Sequence, residues 1–523
     1  MRLRSLPLGA AALGLVTASA AAAQASPPVG TTAKAGSSYV QCDGQPNNMT
    51  DGELAARLLG AVTLVGLLAK PPEGADASKR QFGAAGVAAC SAVLEGDKKE
   101  GNPNRRIGLL LGRAIHQIEA KNHDAALSDV ALARREAEAA GLTADPYWMR
   151  SRGRSFDQVE AAALFRKGQV EEAQAASLRG IAAQEYSLTG LLDLLPYGDY
   201  LPKPTDAEDR RAMFLTRLAW PMGLVRADRL EQAGRFAEAA RLRDAMVDFD
   251  AAHTPELNDS TMLAQAAISH ALAGNAQAAA ERIAAARANS EKRKAAGKPE
   301  NDASALVELL DLGGILDLAA KGDMKGARRL FSARSEWVSA SLGAVAEVNR
   351  RLRTGASPDE LIGGLAKSPE ALWTERRDTK KAALLASDAD NKALFGTISG
   401  ALKPASFTAV SRNVWNVEKS KIVLKRKVED ESKFELMFLY GIDPDVSLQA
   451  YLLHSALTAK ARGQQGFVFQ PIITKEFVAG SFRTGNMGDK GFAPDLFIAA
   501  EPVIASLRQL FPDPETLKAR PKR

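Results

Sequence analysis

Between residues 110 and 330 the apolar positions recur at intervals of three and four, as in Leu215, Leu218, Met222 and Val225. That is the spacing of one face of an amphipathic helix. Five times in this stretch a helix end runs into a Gly-type slot, with an alanine five residues further on. The slots are Lys121, Gly168, Gly234, Gly274 and Gly322, and the alanines are Ala126, Ala173, Ala239, Ala279 and Ala327. Two residues after each slot stand His123, Val170, Phe236, Ala276 and Met324, where a side chain can wedge between two helices. A glycine in the slot supplies the left-handed backbone that ends a helix, and a small alanine lets the next helix come close. The pattern predicts a row of helical hairpins. No single hairpin buries its own apolar face, but stacked copies do.

The first turn reads Ala120-Lys121-Asn122-His123-Asp124-Ala125-Ala126-Leu127-Ser128-Asp129, preceded by helical stretches around Gly86 to Leu94 and Arg106 to Ala120. This run resembles the tetratricopeptide-repeat proteins of bacterial envelopes, in which a G-D-Y-type turn joins two helices. The resemblance implies a helical array that binds a peptide or protein segment in its groove. The slots are 47, 66, 40 and 48 residues apart, against 34 in the standard unit. The array is therefore expected to be irregular, with longer helices or intervening loops near residues 196–204 and 295–301.

From about residue 405 the texture changes. Residues 421–424 and 434–440 read as strands around an acidic turn at Glu429-Asp430-Glu431. Asp443 and Pro444 suit the N-cap and first position of a helix running to about Arg462, with Gly463 just past its end. Residues 466–473, 475–482 and 492–499 read as further strands before a last helix over 502–510. Tyr451-Leu452-Leu453-His454-Ser455-Ala456, then Gly466-Phe467-Val468-Phe469, resembles a small domain of bacterial envelope lipoproteins. The closing Ala499-Ala500 with Val503, Ile504 and Leu507 resembles the end of the same domain. This chain has no lipoprotein cysteine, so the resemblance implies no lipid anchor here, and it carries no catalytic residues.

The N-terminus has the form of a secretory signal over residues 1–25. Arg2 and Arg4 precede an apolar core of about eleven residues, and Ala21, Ala23 and Ala25 offer small-residue cleavage sites. An uncleaved anchor is the alternative. Cleavage would place the mature chain in the periplasm or outside the cell. The apolar run 54–69 is interrupted by Arg57 and closed by Pro71-Pro72. It reads as a core helix with Thr50 and Glu53 as its capping box, so the mature chain is expected not to span a membrane. Only two cysteines occur, Cys42 and Cys90. In an oxidising compartment an isolated pair is expected to be bridged, two buried thiols being the alternative. A bridge closing nearly fifty residues adds about 4 kcal/mol in the chain-entropy picture.

Composition adds little to this picture. Hydrophobic residues make up 46% and charged ones 25%, with aromatics at 6%, which is ordinary for a globular protein apart from the scarcity of aromatics. The net charge is +6, or +4 once Arg2 and Arg4 leave with the signal. Basic clusters at Arg350-Arg351-Arg353, Arg376-Arg377 with Lys380-Lys381, Lys425-Arg426-Lys427 and the tail from Lys518 lack interleaved aromatics, so no nucleic-acid partner is expected. Weak contact with anionic envelope components is the remaining electrostatic reading.

Candidate chemistry is sparse. The five histidines form no i,i+4 pair, so no metal site is expected. His123 reads as packing, and His454 as a solvent-facing or capping residue. No nucleophile elbow or Walker loop occurs. Thr484 to Gly491 is the one Gly-rich loop, explained by turn residues. The chain is thus expected to bind no cofactor and to catalyse nothing.

The expected architecture is mainly α: an irregular tetratricopeptide-like helical-repeat array followed by a small α+β domain. A signal over 1–25 precedes a disulfide-bearing helical segment at 26–104. The repeats occupy 105–366, a partly helical connection 367–404, the α+β domain 405–511 and a basic tail 512–523. The expected function is a periplasmic scaffold gripping a peptide or protein partner. The alternative is an envelope hydrolase or ligand-binding protein with its site in the C-terminal domain.

Overall fold

The computed structural model describes residues 36–47, 74–97, 99–188, 197–198, 200–201, 203–253, 259–300, 302–387, 392–396, 398, 404–423, 434–474 and 477–519. The expected signal, the helix at 54–69, the acidic turn at 429–431 and the basic run 425–427 lie outside these residues. The described chain is mainly helical, with one small antiparallel sheet near its C-terminus.

A short helix, α1 (Ser38–Asp43), is pinned to α2 (Gly83–Leu94) by the disulfide Cys42–Cys90, which spans 48 positions. Five hairpins follow. They are α3 (Pro103–Glu119) with α4 (His123–Ala139), α5 (Arg154–Lys167) with α6 (Val170–Ala183), and, after α7 (Asp206–Leu218), α8 (Met222–Gln232) with α9 (Phe236–His253). The last two pair α10 (Ser260–Leu272) with α11 (Ala276–Ala295), and α12 (Ala303–Ala320) with α13 (Met324–Ser332).

All five turns have one geometry. Each slot residue has positive φ, from 62° at Lys121 to 92° at Gly168. Its N–H donates to the carbonyl three residues back, and the next N–H to the carbonyl five before it, as in Gly168 to Phe165 and Gln169 to Leu164. These are the two bonds of a Schellman ending, which satisfy carbonyls the helix leaves open. The second helix starts two residues after each slot. The alanine five residues on donates its N–H back across the first turn of that helix, at 3.0 to 3.1 Å in all five. All five alanines are buried.

The apolar stripe Leu215 to Val225 does not form one helix. Pro221 has no N–H to continue the ladder, so α7 ends at Leu218, Ala219 is extended (φ −149°, ψ 95°) and α8 restarts at Met222. Thr205 and Glu208 cap α7 reciprocally.

Beyond α13 the chain forms α14 (Leu342–Arg353), two short turns at Pro358–Glu360 and Gly363–Leu365, α15 (Pro369–Ser387), α16 (Lys392–Gly396) and α17 (Pro404–Trp415). The stretch 367–404 is therefore largely helical where described.

The α+β unit contains β1 (Glu435–Phe438), α18 (Pro444–Ala461), β2 (Gly466–Ile473), β3 (Val478–Gly485), β4 (Ile498–Ala499) and α19 (Ala500–Leu507), before a last short helix, α20 (Pro514–Ala519). The sheet order is β1-β3-β2-β4, antiparallel throughout. Asp443 caps α18 and Gly463 has φ 69° just past its end. Of the expected strand at 421–424, the described residues 421–423 contribute a bridge at Val423, and the strand expected over 475–482 is described from Val478. Residues 492–497 form turns, and only Ile498 and Ala499 pair.

One face of the sheet, with Phe469 and Phe482 opposite each other, packs on α18. At Gly480 a Cβ would collide with Phe469 and Tyr451, so only glycine permits that approach. The other face carries Val468, which joins Trp220, Leu242 and Phe249 of the helical body in one core. The core around α18 likewise includes Ile181, Leu188, Leu215 and Leu218 from the body. The α+β unit is thus built into the side of the helical array, against the second and third hairpins and α7.

Candidate functional site

The densest gathering of buried polar groups lies where the helical body meets the α+β unit. Before α5, one turn at Pro146–Trp148 passes into a π-turn at Met149–Gly153. The wider turn, a form often found at functional sites, aims Arg150 inward. Its Nη1 donates to Gln449 Oε1 of α18 at 2.8 Å. Burial pulls the Arg150 guanidinium down to about 10, against the opposing attraction of Asp445. It remains a cation near neutral pH.

After α6, Tyr186 holds φ 63° although it is neither glycine nor exposed. A left-handed non-glycine residue costs about 1–2 kcal/mol. The kink places Ser187, whose Oγ donates to Asp445 Oδ1 at 3.0 Å, while Arg154 lies 3.5 Å from the other oxygen. Gln184 Nε2 donates to the Met149 carbonyl at 3.1 Å and ties the kink to the π-turn. Asp445, on the first turn of α18, also sits where the helix dipole favours a carboxylate.

The opposite face of the sheet meets the body at His253, the last residue of α9. Its Nε2 lies 2.8 Å from Ser481 Oγ. The ring stacks on Phe249 at 6.1 Å and meets Phe434 edge-on at 4.7 Å. Burial alone pulls its imidazole down to about 4. This is a histidine beside a hydroxyl, the start of a nucleophilic pair. Ser481 is only 3% exposed and lies within a paired strand, so it does not present its oxygen to a substrate.

Further contacts close the junction. Arg226 Nη1 donates to Asp495 Oδ1 at 2.5 Å, Arg217 to the Pro494 carbonyl at 3.0 Å, and Tyr147 to the Leu510 carbonyl at 2.8 Å. Between Pro204, Leu215, Met222 and Arg229 is a slot of about 20 Å³, room for a single water.

Other expected residues lie elsewhere. The Cys42–Cys90 bridge is buried at the N-terminal end, with His116 beside it. His116 Nε2 lies 2.7 Å from the Cys42 carbonyl, and Nδ1 lies 2.8 Å from Glu119. Lys121 and His123 line an open recess with Asp124 and Lys167, which pair at 2.7 Å. The five slots and alanines are spread along the array and form no single site. His454 is buried, not solvent-facing. Its Nδ1 donates to the Val414 carbonyl at 2.9 Å because α18 is enclosed on all sides. In the loop after β3, Gly488 and Gly491 have positive φ, the turn geometry expected of glycine there. Among the described residues no group of His, Cys, Asp or Glu could hold a metal ion.

Sequence reasoning passed over Arg150, Ser187, His253, Asp445, Gln449 and Ser481. One signal was present: α18 carries Ser447, Gln449, His454, Ser455 and Thr458 among its apolar residues, and every one is buried. Buried polar groups demand partners, and for Gln449 the helical body supplies one in Arg150. No protein-family model, curated protein or solved structure matches this chain.

Proposed function

We propose that the chain is a periplasmic protein-interaction or scaffolding protein whose tetratricopeptide-like hairpins receive a peptide or protein partner. The docking surface in this reading is the distal end of the array, residues 303–365. One observation carries it. Val307 (53% exposed), Leu330 (45%), Val338 (66%) and Ile362 (60%) place four large apolar side chains in solvent within this stretch. Single exposed apolar residues are normal, whereas several along one segment favour a contact surface.

The distal core, from Leu263 to Leu365, contains no residue of the α+β unit. The second and third hairpins, by contrast, are already covered by that unit. An uncovered end with apolar side chains is what a scaffold needs. The disulfide favours an oxidising compartment, and no described helix is long and apolar enough to cross a membrane.

In-cell crosslinking of the tagged mature chain, followed by mass spectrometry, tests this reading. One recurrent partner joined to 303–365 is the expected result. Crosslinks confined to the α+β unit, or none to any protein, would set the reading aside in favour of a ligand or activity in the C-terminal unit.

A further inference from the structure

Two of the five histidines flank the central strand β3 from opposite sides. His253 meets Ser481, and His454 of α18 meets the ring of Phe482, the next residue, at 6.4 Å. Because successive side chains of a strand point to opposite faces, these two rings bracket the sheet. His270 and His116 have different surroundings. Each has a carboxylate oxygen at 2.8 Å, from Asp244 and Glu119, where a protonated ring finds a counter-ion. Among the described residues His253 has a hydroxyl and His454 a backbone carbonyl.

We propose that β3 is an acid-operated joint: protonation of His253 loosens the strand from α9, and protonation of His454 loosens it from α18, while the distal hairpins stay folded. The inference stands on the junction alone and makes no use of the partner surface at 303–365.

The charged groups around each ring are consistent with it. On the same face of the strand, the Arg483 guanidinium lies over Phe434, the ring that His253 meets edge-on, at 5.6 Å and over Phe492 at 4.5 Å. On its own helix Asp250 lies one turn back, and Glu256, three residues on, lies outside the described residues. Near His454, Glu435 and Arg462 pair with each other at 2.7 Å and largely offset one another. Burial lowers the imidazole of His454 as well as that of His253, by more than any neighbour raises it. A histidine held low in the folded state stabilises fully above its unfolded value of 6.5. That stability is lost as pH falls toward the folded value.

The test is backbone hydrogen exchange on the full chain at about pH 7 and about pH 5, the span over which an unperturbed imidazole changes charge. Protection in β3 and β1 is expected to fall by up to about tenfold per pH unit for each ring that gains a proton on opening. Protection in α12 is expected to hold. His253→Gln, which keeps a hydrogen-bonding group without the titration, is expected to remove most of the β3 response. Equal loss in β3 and α12, or an unchanged β3 response in H253Q, overturns the proposal. Ring titration of His253 by NMR gives a reading even if H253Q does not fold. A value near that of a free imidazole overturns the joint, and one well below it supports it.

Discussion

The junction and the distal hairpins solve the same packing problem by opposite means. At the junction, partners lie far apart in sequence: 299 positions for Arg150 and Gln449, 258 for Ser187 and Asp445, 228 for His253 and Ser481. Polar groups are buried there, and the backbone bends to suit them, through a π-turn and a left-handed tyrosine. Within the distal hairpins, α10 to α13 mostly pack on near neighbours in sequence while α14 returns onto α8, the core is apolar with Phe331 among its aliphatic side chains, and large apolar side chains remain outside. Nearest-neighbour stacking ties each hairpin mainly to the one beside it. A junction built on long-range polar contacts instead stands or falls as one piece. The α+β unit consequently covers part of the middle of the array and leaves the distal end uncovered.

One carboxylate links the two regions. Glu231, at the end of α8, accepts from Arg243 of α9 at 3.0 Å, and from Ser269 of α10 and Ser341, the N-cap of α14. Both Glu231 and Arg243 are buried. Glu231→Ala leaves the Arg243 charge short of its main partner, and about 3–5 kcal/mol of stability is expected to be lost. Denaturant melts monitored separately in the two regions should both shift. A shift confined to one of them would separate the regions more sharply than the packing suggests.

Acid comes next in size. With His253 moving from its unfolded 6.5 to about 4, the junction is expected to lose about 3 kcal/mol as pH falls across that interval. The distal hairpins contain no comparable group among the described residues. Stability curves at a series of pH values check this, and an equal loss in both regions would break the comparison.

The buried alanines of the turns probe close approach in either region. Ala239→Leu, in the hairpin under the sheet, and Ala327→Leu, in the distal one, each force a larger side chain into a filled contact. Each is expected to cost about 1–3 kcal/mol, with the first also reducing protection in β3 and the second leaving it intact.

The slots themselves give a smaller effect. Gly274→Ala at φ 82° is expected to cost about 1 kcal/mol. Lys121→Gly should stabilise by a few tenths to 1 kcal/mol, because the strain relieved there exceeds the added freedom of the unfolded chain. Thermal melts resolve both, and a destabilised K121G would mean that the lysine makes a contact outweighing its strain.

The smallest stability change is expected where the proposed function is most exposed. Val338→Ser and Ile362→Ser should move stability by no more than about 0.5 kcal/mol, yet lower the yield of crosslinked partner. Unchanged crosslinking in the double variant would remove these side chains from the docking surface.

Local chemistry was legible in the sequence wherever the interaction is local. Each helix–turn–helix depends on bonds spanning three to five residues, so a slot with glycine and an alanine five places on was enough to locate the turn at Gly168, Gly234, Gly274 and Gly322. The same holds for Lys121, where the surrounding pattern outweighed the unfavourable residue. The Asp443–Pro444 helix start and the strand at 466–473 were legible for the same reason, as was the pairing expected of two lone cysteines. The stripe Leu215 to Val225 misled because periodicity carries no record of how Pro221 interrupts the ladder. The seat of the α+β unit was settled by contacts between distant parts of the chain. That depends on Asp445 finding Ser187, Gln449 finding Arg150 and Ser481 finding His253 across hundreds of residues. A buried polar group announces that it needs a partner, but chain sequence alone does not rank the candidates. Only the folded backbone, by bringing one of them within hydrogen-bonding distance, makes the choice.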